Sequence, residues 1–181
     1  MRNIVCQCLL GLIVASRPML SQERDYTPTY EMPKGREIVA IYIGSTTCGP
    51  CLLPEVKAAV KKMKVLVADQ AKAQGASFAA VVAANDWEVP KAISFVEPLG
   101  AFDQLILGGN WTNLAIERYV WRDPEGVPAM PQILVVERTV TTGNRVSFSE
   151  PKVLRRVMGG KEIPAWVELG APISAPSAPH P

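Results

Sequence analysis

The chain has a single histidine, His180, and only four cysteines among its 181 residues. A metal site built on imidazoles therefore has almost no material to draw on. Aromatic residues make up only 7%, and no cluster of Lys and Arg is interleaved with them, which excludes a nucleic-acid surface. A formal charge of +2, with 20% charged residues, names no partner by sign. The apolar stretch from Ile4 to Ala15 falls short of the roughly twenty residues that cross a bilayer, so no stable membrane span is expected. No internal repeat is present.

What is there begins with Arg2, the apolar stretch after it, and the small residues Ala15 and Ser16. That order of charged, apolar and small residues is a secretory signal, expected over residues 1–16 and cleaved close behind. Removal takes away Cys6 and Cys8 and leaves one pair, Cys48 and Cys51. Residues 17–36, with Pro18, Pro28, Pro33 and Gly35, read as a lead-in holding at most a short edge strand. Residues 37–170 form the folded body, with 48% of the whole chain apolar and enough length for one core. The Pro/Ala/Ser-rich residues 171–181 read as a disordered tail.

Within the body, the β-branched run Glu37 to Ile43 predicts a buried strand that runs straight into the cysteines. Leu53, Val56, Val60, Met63, Val67 and Ala71 recur at helical spacing up to a stop at Gly75. Lys57, Lys61, Lys62 and Lys64 are assigned to the wet face of that helix. Phe78 to Ala84 predicts a second buried strand. A helix near Lys91 to Leu99, a strand near Gln104 to Leu107 and a helix near Thr112 to Val120 follow. Further strands are expected over Gln132 to Glu137 and Val153 to Met158, joined by a ribbon containing Gly143-Asn144. A short helix holding Pro164 early and ending near Leu169 closes the body. The class is α/β: a central mixed sheet flanked by helices.

A strand, then Cys48-Gly49-Pro50-Cys51, then a helix is an arrangement suited to thiol chemistry. Free N–H groups at a helix start stabilise a thiolate on Cys48, the expected nucleophile, and Cys51 one turn on resolves the mixed disulfide. Two other readings stand beside it. The pair can be a structural disulfide, although so short a loop constrains the unfolded chain little. It can also contribute to a zinc site, which wants four ligands where two thiols and His180 are on offer.

The segment Ile41-Tyr42-Ile43-Gly44-Ser45-Thr46-Thr47-Cys48-Gly49-Pro50-Cys51 resembles the active-site segment of the thioredoxin superfamily, and Met130-Pro131 matches the position of that family's cis-proline. The helix–strand–helix interval between Cys51 and Pro131 exceeds that of plain thioredoxin and is similar to the exported TlpA/ResA-like branch. The resemblance implies a thioredoxin fold with a helix–strand–helix insertion before the cis-proline. It also implies Cys48 and Cys51 as catalytic, with Thr47, Gly49, Pro50, Met130 and Pro131 meeting substrate. The activity implied is periplasmic or otherwise extracytoplasmic reduction of disulfides in other exported proteins. It needs no cofactor beyond the redox-active Cys48–Cys51 pair, and a transmembrane thiol carrier would supply electrons.

Departures accompany the match. The family's buried acid falls at Tyr42, and the aromatic residue before the first cysteine is Thr47. Pro54 comes early enough to kink or loosen the first helical turn. Glu55 is the carboxylate nearest the motif in sequence, either a proton relay or a solvated side chain. Trp111 and Trp121 can line a substrate groove or fill the core. Gly49-Pro50 resembles the reducing thioredoxins, while hydroxyl donors on Thr46 and Thr47 would move the pair in the oxidising direction. The competing class is a binding or metal-delivery protein in which the pair is secondary.

Overall fold

A computed structural model describes residues 24–29 and 31–173. The expected signal and the far end of the expected tail, including His180, lie outside the described residues.

Two parallel strands form the centre: β1 (Gly35–Gly44) and β2 (Ser77–Ala84). Both are buried along most of their length, as the continuous apolar runs of a sheet covered on both faces require. Side chains alternate between the faces: Ile38, Ala40 and Tyr42 join one core, and Val39, Ile41 and Ile43 the other. The short β3 (Gln104–Leu107) extends the parallel part beyond β2. On the other side β4 (Gln132–Thr141) runs antiparallel to β1 and carries both β5 (Ser147–Phe148) and β6 (Lys152–Met158). The spatial order is β3-β2-β1-β4-β5, with β6 also paired to β4.

On one face lie α1 (Pro54–Ala73), α2 (Val89–Val96) and α4 (Glu162–Glu168). Val56, Val60, Met63 and Val67 of α1 pack there with Phe95 of α2 and Trp166 of α4. Each such side chain contributes about 1.5–3 kcal/mol by leaving water. On the opposite face lies α3 (Leu114–Ile116), a single turn continued as a wider π turn over Glu117–Trp121, which buries Ala115, Ile116, Tyr119 and Val120. The helix expected near Thr112 to Val120 is thus split: Asn113 caps α3, its side chain accepting from the Ala115 N–H.

A parallel pair with a helical crossover, an antiparallel strand on the far side and a cysteine pair at the end of the central strand make this a thioredoxin fold. The interval between β2 and Pro131 holds the expected helix, strand and helix, and its strand forms the sheet edge next to β2. The body extends past residue 170. Ala171 and Ile173 are buried, Trp166 Nε1 donates to Pro172 O at 3.1 Å, and Gln70 Nε2 donates to Ala171 O at 3.0 Å. Apolar Ile173 inside a Pro/Ala-rich segment supplied the anchor that composition alone concealed. The lead-in packs as well: the Tyr26 ring meets Phe78 edge-on at 5.4 Å, and its hydroxyl donates to Asp103 Oδ2 at 2.5 Å.

Candidate active site

β1 ends at Gly44, where a Cβ would lie 2.6 Å from Phe95 Cζ and 3.0 Å from Tyr42 Oη, so any larger residue would have to displace these packed rings. The chain then turns tightly through Ser45, Thr46 and Thr47, with the Cys48 N–H donating to Ser45 O at 3.3 Å. Cys48 caps a single 3-10 turn, Gly49–Leu52, and its sulfur accepts from the Cys51 N–H at 3.2 Å. The two cysteines are joined as a disulfide with Cα atoms 5.2 Å apart. Cys48 retains 7% of its surface and Cys51 none, so Cys48 is the less enclosed of the two.

The motif does not form the first turn of the long helix. Leu53 is extended, with φ −60° and ψ 135°, and α1 starts at Pro54. Proline disfavours the helical conformation at the residue before it and needs no N–H partner at a helix start; with Leu53 extended, Pro54 divides what would have been one helix into a short turn and α1. The dipole of α1 therefore begins beyond the pair. The donor that reaches Cys48 is local, the Cys51 N–H.

The Met130-Pro131 bond is cis. Gln132 pairs with Ile43, which sets Pro131 level with the end of β1. The Pro131 carbonyl accepts from the Gly159 N–H at 2.9 Å, and a Cβ on Gly160 would lie 3.1 Å from Pro50 Cβ, so one glycine turn touches both prolines. Met130 is partly buried against the core that contains Cys48 and Cys51. Thr47, Gly49 and Pro50 are exposed beside the pair. The fold thus brings the motif and the cis-proline to one end of the sheet.

A buried polar network that sequence reasoning missed holds the loop leading to Pro131. Gln132 Nε2 donates to Val127 O at 3.1 Å and to Ala129 O at 2.7 Å. Arg156 Nη1 donates to Gln132 Oε1 at 2.9 Å, and the same guanidinium pairs with Asp123. The one sequence signal was an amide beginning an otherwise apolar strand.

Tyr42, at the position where the resembling thioredoxins carry an acid, is fully buried and its hydroxyl has no hydrogen-bond partner among the described residues. Burial drives its phenol well above the usual tyrosine range, so it cannot serve as a base near neutral pH. Glu55 is exposed in the first turn of α1. The carboxylate that does approach the motif is Asp86, buried just after β2. Its Oδ1 accepts from Ser45 Oγ at 3.2 Å, from the Thr46 N–H at 3.2 Å and from the Thr46 hydroxyl. Thr47 Oγ1 lies 2.8 Å from Ser45 Oγ. Trp111 packs half-buried against the second core, while Trp121, 52% exposed, donates its Nε1 to Trp111 O at 2.7 Å.

Lys64 departs from the wet face expected for it. It is buried, donating to Leu99 O at 2.8 Å and Ala101 O at 2.6 Å, with its ammonium 4.0 Å from the centre of the Phe102 ring. The segment after α2 closes over this position of α1, which helical spacing alone cannot reveal. Burial, assisted by the charge of Lys61, lowers its amine to about 8.

Among the described residues no group of three or more His, Cys, Asp or Glu side chains is placed to hold a metal ion. Nor is any helix among them long and apolar enough to cross a membrane. No protein-family model matches the chain, and comparison with curated proteins finds no match. Among solved structures, the chain is similar to a secreted disulfide oxidoreductase of Mycobacterium tuberculosis homologous to E. coli DsbE. The identity is 15%, over 73% of this chain and 81% of that one, with a TM-score of 0.30. The fold assignment rests on the strand order and the site geometry given above.

Proposed function

We propose that the chain is an extracytoplasmic thiol–disulfide oxidoreductase that reduces disulfides in other exported proteins. The observation that carries this reading is the Cys48–Cys51 disulfide at the end of the central strand, Cys48 keeping a small part of its surface and Cys51 none, beside a cis-proline loop. Export is supported by Arg2 and the apolar stretch behind it.

In the reduced form, the Cys48 thiolate attacks a client disulfide. The Cys48–client bond forms, the client S–S bond breaks, and the first client sulfur leaves as a thiolate that takes a proton from water. Cys51 then attacks the Cys48 sulfur. Its proton passes to the departing client sulfur, so the step needs no buried acid and is compatible with Tyr42 at that position. Two electrons have moved to the client, and Cys48–Cys51 is a disulfide. A membrane-borne dithiol returns the two electrons and becomes oxidised in turn; this donor is the partner the family resemblance implies. Thr47, Gly49, Pro50 and Met130 form the rim a client meets, and the Met130 thioether supplies an adaptable apolar contact. An extended client chain would lie against the backbone at Met130-Pro131.

Insulin reduction by dithiothreitol tests the assignment. Catalytic acceleration that disappears in Cys48→Ser is expected, and absence of acceleration would leave a binding module. Cys51→Ser should retain clients as mixed disulfides on Cys48, identifiable by mass spectrometry.

A further inference from the structure

The turn before Cys48 contains three consecutive hydroxyl residues, Ser45, Thr46 and Thr47, and a thiolate next to them would ordinarily gain hydrogen bonds from their protons. Buried Asp86 decides where those protons go. A carboxylate only accepts, so Thr46 Oγ1 and Ser45 Oγ, both reaching Asp86 Oδ1, must donate to it. Ser45 has then spent its one proton. The 2.8 Å contact between Ser45 Oγ and Thr47 Oγ1 can be made only by donation from Thr47. Ser45 Oγ also accepts the Thr47 N–H at 3.0 Å, which completes its two acceptor positions. All three hydroxyl protons are taken up by oxygen acceptors within the turn and on Asp86, a carboxylate that the parallel pairing of β1 and β2 carries to the end of β1.

We propose that Asp86 is a positioning residue that keeps the Cys48 pair reducing, by drawing the hydroxyl protons of Ser45, Thr46 and Thr47 away from the Cys48 sulfur. This rests on the reading of Cys48 as the redox nucleophile. A thiolate given fewer donors is less stabilised, which favours the disulfide and makes the dithiol the stronger reductant. DsbA marks the opposite case, oxidising because its reduced form is stabilised. Thr46 and Thr47 thus do not supply the oxidising contribution their position suggests.

The test is the Cys48 thiol pKa, from alkylation rates against pH, together with the equilibrium of the pair against glutathione. Neither needs a client or turnover, so a chain inactive on insulin still answers it. Ser45→Ala leaves Asp86 charged but frees the Thr47 proton for the sulfur, directly or through a water. It should lower the Cys48 pKa by about one unit, a tenfold gain in thiolate. The glutathione equilibrium should move about tenfold toward the dithiol, or about 30 mV. Asp86→Ala should move both in the same direction. Asp86→Asn retains the accepting Oδ1 while removing the charge, and should stay within about threefold of the parent. Adding Thr47→Val to Ser45→Ala should restore the parent values. An unchanged pKa in Ser45→Ala would overturn the proposal. So would an Asp86→Asn shift as large as that of Asp86→Ala, since the charge alone would then be acting. If Asp86→Ala does not fold, the contrast of Ser45→Ala with Asp86→Asn decides.

Discussion

Tyr42→Phe should stabilise this protein, although most substitutions in a buried strand do the reverse. The hydroxyl is fully buried without a hydrogen-bond partner among the described residues, a Cβ on Gly44 would lie 3.0 Å from it, and the ring stacks on Phe95 with centroids 6.1 Å apart. Leaving a buried hydroxyl unpaired costs about 1–3 kcal/mol. Removing one oxygen opens a void of roughly 15 Å³, worth about 0.4 kcal/mol in lost packing. The net gain is about 1–2 kcal/mol, which for a domain of this size raises the melting temperature by about 3–6 °C. Urea unfolding at pH 7, with the disulfide intact, should show a higher midpoint at unchanged slope. The gain should widen above pH 10. The folded phenol, its pKa raised by burial, holds its proton while the unfolded one ionises, so the parent loses stability as pH rises through the unfolded value and the variant does not. A variant less stable than the parent by more than about 0.5 kcal/mol would show that the hydroxyl contributes favourable interactions, and the reasoning would fail.

Further expectations follow from the same structure. Lys64, lowered to about 8 chiefly by burial, gives up its proton in the folded state before the unfolded chain does; parent stability relative to Lys64→Met should therefore rise between pH 8 and 10.5, by about 2–3 kcal/mol in total. A flat difference in urea titrations across that range would refute it. Gln132→Leu strips the donors from Val127 O and Ala129 O and the acceptor from Arg156, and should cost about 2–4 kcal/mol while lowering kcat/KM for insulin; unaltered stability would show that the network does not hold the loop. In the reduced protein, Cys48 should alkylate at least about tenfold faster than fully buried Cys51, read by peptide mapping, and equal rates would contradict the assignment of the nucleophile.

The elements that follow from local pattern were legible in the sequence. The continuous apolar run of β1, the three-and-four spacing on α1 and the glycine behind it each reflect a neighbour a few residues away. The position of Pro54 signalled a disturbed first turn, although separation of the cysteine turn from α1 depends on Leu53 being extended. The residues that escaped notice are those whose surroundings come from remote chain. Asp86 reaches Ser45 and Thr46 only because β1 and β2 lie parallel in register. Lys64 has the sequence context of its exposed neighbours Lys61 and Lys62, and is covered by carbonyls from Leu99 and Ala101. Gln132 and Arg156 meet because β4 and β6 pair.

The redox potential of the Cys48–Cys51 pair tests the central claim most directly. Equilibration in glutathione buffers, with the dithiol fraction read by alkylation and mass, should place it between about −270 and −200 mV, within reach of the reducing thioredoxins and glutaredoxins. A value above about −150 mV, toward DsbA, would make the protein a donor of disulfides and contradict its assignment as a reductant.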